Sequence, residues 1–100
     1  MDREIKELLN KLGIRINVKG YWFWITAIEY KAEHKDANMS EIYYEVAKLH
    51  NTTYSRVERA LRHAYEYVKG NLQEYFNINY TINNSTFLLL ALEDIRKEKN

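Results

Sequence analysis

The chain has 100 residues, 46% apolar and 14% aromatic, with nine Tyr among them; that suffices for one modest core and argues against disorder. With no Cys, disulfide and thiolate chemistry are excluded, and a reducing cytosol fits. A net charge of +1 predicts neither nucleic acid nor an acidic partner, so any electrostatic footprint must come from local clustering.

The chain opens on "MDREIKELLNKLG", charged from Asp2 to Lys11 and therefore no signal peptide. Ile5, Leu8, Leu9 and Leu12 recur at helical spacing, Asp2 is placed to cap that first helix, and Gly13 suits a left-handed stop after it. "IRINVKG" alternates and is short, which predicts an extended connector or a small strand. After Gly20, Tyr21, Trp24, Ile25, Ile28 and Ala32 form one apolar stripe, predicting a second helix. "ANM" reads as a turn, and Ser40 as the cap of a third helix, "EIYYEVAKLH", with Ile42, Val46 and Leu49 facing the core. "NTTYSRVERALRHAY" starts a fourth helix that runs to Lys69, with Gly70 as its stop. "LQEYF" is a short fifth helix, and "NINYTINN" a polar connector with a few strand-like residues. Ser85 caps the last helix, "TFLLLALEDIRKEK". Its apolar run, Phe87 to Leu92, is far too short to cross a membrane. It is apolar nearly all round, so it is either central to the core or a subunit contact. There is no Pro, and no repeat or linker stands out. The reading is a single all-α domain of six helices over 1–100.

The third and fourth helices carry the functional argument. Only "NTT" separates them, the spacing of a helix-turn-helix over about 41–69. Four positions fit that register. Ala47 is small where the two helices pass closely. Asn51 stands where the turn needs a positive φ, and Asn tolerates it next best to Gly. Thr53 caps the second helix, and Val57 is a β-branched core residue one turn in.

Wound at about 100° per residue, the fourth helix gathers Arg56, Arg59, Arg62, His63 and Glu66 within roughly 120° of arc, with Glu58 just outside it. Val57, Ala60, Leu61, Ala64 and Val68 lie opposite. A recognition helix over about 54–69 would enter the major groove by its N-terminal half. Arg matches guanine O6 and N7 with two hydrogen bonds, and Glu58 can accept from cytosine N4. Thr53 and Ser55, at the helix start, are placed for phosphate.

In these residues the chain resembles the DNA-binding effector (C-terminal) domain of the sporulation master response regulator, the stage-zero sporulation protein A family. The family's Ser-Arg-Val-Glu-Arg-Ala-x-Arg-His string stands intact at Ser55 to His63. The likeness extends through "LGIRINVKGYWFWITAI", "EVAKLHN" and "NSTFLLLALEDIRKE". It implies a six-helix all-α fold containing a helix-turn-helix, in the winged-helix-like superfamily of response-regulator effector domains. It also implies cytoplasmic transcription control through short DNA boxes, often in tandem. The implied DNA-facing set is Ser55, Arg56, Glu58, Arg59, Arg62 and His63. Double-stranded DNA is the expected partner, with RNA polymerase sigma factor and a second copy on tandem sites as further candidates. The chain departs from the family at Tyr44, where Pro is usual, and in its connector "NINYTINN", which has no Lys.

Other readings remain beside this one. A charged helix face is ordinarily just solvated, and His63 alone reads as a surface histidine. His34, His50 and His63 have no metal spacing, and nothing near His34 and Asp36 supplies a nucleophile or oxyanion hole, so neither metal, cofactor nor catalysis is expected. "YWFW" could stack single-stranded bases, but Tyr21, Trp24 and Ile25 read better as core. The alternative function is a protein-interaction module or antagonist that keeps the fold and does not bind DNA.

Overall fold

The computed structural model describes residues 1–98, and every regular element in it is helical. In chain order these are α1 (Asp2–Leu12), α2 (Lys19–Glu33), α3 (Met39–Leu49), α4 (Tyr54–Tyr67), α5 (Lys69–Phe76) and α6 (Asn84–Glu98). No helix of the described residues is long and apolar enough to cross a membrane.

α2 is the central element: it packs on α1, α3, α4 and α6. Its apolar residues lie on more than one side, which is how a helix surrounded by others reads. Tyr21, Phe23, Trp24, Ile25, Ala27 and Ile28 are all buried. Trp24 and Phe87 of α6 meet edge to face with centroids 4.6 Å apart, and both are fully buried. Each such aromatic contributes about 1.5–3 kcal/mol through apolar burial. Phe87, Leu88, Ala91, Leu92 and Ile95 make α6 a core helix, although Leu89 stands out at 53% exposed.

α2 and α4 touch at a point where only Gly fits. A Cβ on Gly20 would lie 2.5 Å from both the Ala60 carbonyl oxygen and the Ala64 Cβ. Gly20 is thus inside the helix, which starts at Lys19, and not ahead of it. The segment "IRINV" before it forms turns, with no strand among the described residues.

Several expected helix ends fall elsewhere. Asp2 lies in the first turn of α1, whose cap position is Met1 without a side-chain bond. Asn38, not Ser40, caps α3, its side chain accepting from the Glu41 amide at 2.9 Å. Asn83, not Ser85, does the same for α6, accepting from the Thr86 amide at 2.9 Å. Gly13 does end α1 in the left-handed region, at φ 95°. Gly70 ends nothing: α4 stops at Tyr67, the chain bends at Val68, and Gly70 lies within α5. The left-handed stop there is Asn77, at φ 56° after α5. Leu49, expected in the core, is 67% exposed, because α3 ends there and the chain turns away. Lys99, the expected end of the last helix, lies outside the described residues.

Candidate nucleic-acid interface

The turn between α3 and α4 is held by the backbone and by one side chain. The Thr52 amide donates to the Ala47 carbonyl at 2.9 Å. Asn51 sits at φ 52° in the left-handed region. The Thr53 hydroxyl accepts from the Arg56 amide at 3.2 Å, capping α4. Ala47 is buried at the crossing and Val57 is fully buried. All four register positions therefore play the parts expected of them.

Beyond the cap, α4 divides into two faces. Val57, Leu61, Ala64 and Tyr65 are buried. Ser55, Arg56, Arg59, Arg62 and His63 are exposed, as is Thr53 at the cap. Glu58 is half-buried at the edge of this face and pairs with Arg62, carboxylate to guanidinium at 3.6 Å. Among the described residues, Arg56 and Arg59 have no ion-pair partner. The face therefore offers two uncommitted guanidinium groups and a third held by a carboxylate one turn away.

Residues 5–94 match the family model described as sporulation initiation factor Spo0A C terminal.

The chain belongs to the Spo0A C-terminal family.

Proteins of the Spo0A C-terminal family are DNA-binding regulatory domains, and it is not an enzyme family. The all-helical fold with the α3–α4 pair is consistent with that membership.

In this Spo0A C-terminal chain, α4 is fixed from behind by two buried polar ties. The Trp24 indole nitrogen donates to the Leu61 carbonyl at 3.0 Å, and the Tyr65 hydroxyl donates to the Ile82 carbonyl. At the edge, the Asn84 amide nitrogen donates to the Tyr43 hydroxyl at 3.1 Å and to the Glu58 carbonyl at 3.4 Å. Burial pushes the Tyr43 and Tyr65 hydroxyls up from the usual tyrosine value, so both stay neutral donors and acceptors. These bonds restrict how far α4 can move relative to the core.

Sequence reasoning missed the groups beside the turn. Tyr54 opens α4 with its ring against both Tyr43 and Tyr44, at centroid distances of 5.1 and 4.9 Å. His50, at the end of α3, bonds through Nε2 to the Thr26 hydroxyl at 2.7 Å and meets Phe23 edge to face at 4.9 Å. Burial lowers its pKa, which favours the neutral ring. Trp22 is 42% exposed, its indole nitrogen donating to the Ile16 carbonyl at 3.0 Å. The unassigned aromatics of "YWFW" were the available signal. Their partners, Ile16 in the connector before α2 and His50 at the end of α3, lie outside α2, which spacing along one helix does not show. No group of three or more metal-ligating side chains occurs among the described residues.

Proposed function

We propose that this chain binds double-stranded DNA sequence-specifically as a transcription regulator, with α4 in the major groove. The reading is supported above all by the outward face that carries Arg56 and Arg59 without ion-pair partners, next to a capped, rigidly seated helix start. Arg56 and Arg59 read bases, guanine first among them. Thr53 and Ser55 contact phosphate. Arg62 and His63 extend the contact toward the C-terminal half of α4. Glu58 accepts from cytosine N4 or orients Arg62. A DNA-binding role fits a cytoplasmic location; tandem boxes would bring a second copy beside it, and RNA polymerase sigma factor is a further partner of this reading.

The second reading is a protein-interaction module that keeps the fold without binding DNA. The exposed rings of Trp22 and Tyr44 favour it. Selection of bound duplexes from a random-sequence pool, read by fluorescence anisotropy at two salt concentrations, separates the two. Enrichment of a short G·C-containing box, with affinity falling steeply as salt rises, supports base readout. Weak binding without enrichment would discard base readout and leave phosphate contacts only, and the absence of any salt-dependent binding would favour the interaction module.

A further inference from the structure

A second basic surface adjoins the α4 face and belongs to neither helix of the turn motif alone. An open cleft of about 500 Å³ is lined by Lys19, Trp22, Phe23, His50, Asn51, Thr52 and Arg56. None of these side chains is acidic. Lys19 is exposed and has no ion-pair partner among the described residues. Arg56 belongs both to this cleft and to the α4 face, so the two surfaces are continuous.

Lys19 is poorly placed for helix stability. It is the first residue of α2, and that first turn holds no acidic residue. The helix dipole disfavours a cation at this end. Trp22, by contrast, is held firmly. Its indole nitrogen is bonded to the Ile16 carbonyl, Tyr21 packs against it at 5.1 Å, and the Lys6 ammonium lies 5.5 Å from its ring centroid. A rigid ring, two cations without ion pairs and no carboxylate make a wall suited to an anionic, sugar-bearing strand.

We propose that this cleft receives the sugar–phosphate backbone of the same duplex that α4 reads, with Lys19 on the phosphates and Trp22 against the sugar, while Arg56 at the cleft's rim reaches the adjoining base. The proposal rests on the DNA-binding reading of α4. It makes α2 a direct part of the interface and lengthens the footprint beyond the base pairs that α4 touches. Lys19 adds affinity without adding base preference.

The test uses the whole chain and the duplex recovered by selection. Lys19→Ala should lower the magnitude of the slope of log affinity against log salt by about one, leave the preferred box unchanged and not lower the unfolding midpoint. Lys19→Arg should keep the parent slope. Trp24 is fully enclosed, so Trp22 dominates the tryptophan emission open to acrylamide, and saturating duplex should cut that quenching several-fold. An unchanged slope in Lys19→Ala, or a Trp22 equally quenchable with and without duplex, overturns the proposal while leaving base readout by α4 standing. If the parent chain binds no duplex, this proposal and the α4 reading fall together.

Discussion

The indole nitrogen of Trp24 lies 3.0 Å from the carbonyl oxygen of Leu61 and donates to it inside the core. This single bond joins the central helix to the middle of α4. Replacing Trp24 by Phe removes the donor and part of the ring, leaving space beside Phe87. The expected loss is about 1–3 kcal/mol of stability. A urea titration followed by far-ultraviolet circular dichroism measures it, and an unchanged midpoint would show that the bond contributes nothing.

Gly20→Ala should be worse than its single methyl suggests. The new Cβ would meet the Ala60 carbonyl oxygen and the Ala64 Cβ at 2.5 Å. Neither neighbour is the end of a flexible side chain, so α2 and α4 must separate. Overpacking of this kind costs about 1–3 kcal/mol. Gly70→Ala is the control. A Cβ there meets nothing within 4 Å, and within α5 the change should stabilise by about 0.5–1 kcal/mol. Melting temperatures of the two variants should move in opposite directions.

Arg56→Ala and Arg59→Ala should each weaken binding to the selected duplex by about 1–3 kcal/mol, relaxing preference at one base pair. Both side chains are exposed on α4 and without ion pairs, so thermal stability should stay within about 0.5 kcal/mol of the parent. Competition titrations against duplexes substituted one base pair at a time give the answer. If discrimination is fully retained in both variants, neither Arg reads a base.

His50 gives a pH dependence of defined sign. Burial lowers its folded-state pKa below the ordinary value. A histidine depressed in the folded state stabilises the fold fully above its unfolded pKa, about 6.5. That contribution declines as pH falls below about 6.5 and is gone once pH passes below the depressed folded value. Unfolding midpoints of the parent and of His50→Gln, compared from neutral to mildly acidic pH, isolate it. The parent should lose more stability than the variant on acidification, and parallel curves would refute the assignment.

Legibility in the sequence followed the range of the forces. Ala47, Asn51, Thr53 and Val57 were readable because each obeys a constraint set within a few residues. The left-handed turn, the cap and the close crossing all lie in one short stretch. The caps of α3 and α6 were misread for a related reason. Asn38 and Ser40, and Asn83 and Ser85, are near-equal capping residues two positions apart. Tertiary packing decides which of them starts the helix. Gly20 and Gly70 both looked like breakers. Gly20 is required by Ala60, forty residues on, and the bend at Val68 occurs at φ −119°, which any residue adopts. The arginine face of α4 followed from helical periodicity alone. The cleft beside it did not, because Lys19 and Trp22 reach Arg56 only through the packing of α2 on α4.

The position of α2 at the centre has a consequence for how this protein fails. The face that carries Arg56 and Arg59 has no support of its own: its helix leans on α2, α3 and α6, and α2 leans in turn on α1. A destabilising change anywhere in that scaffold, even in α1, lowers the share of folded molecules without weakening any one of them. Damage would therefore act like a reduced dose of an intact regulator, with occupancy holding until a threshold of stability is crossed and then collapsing as a whole.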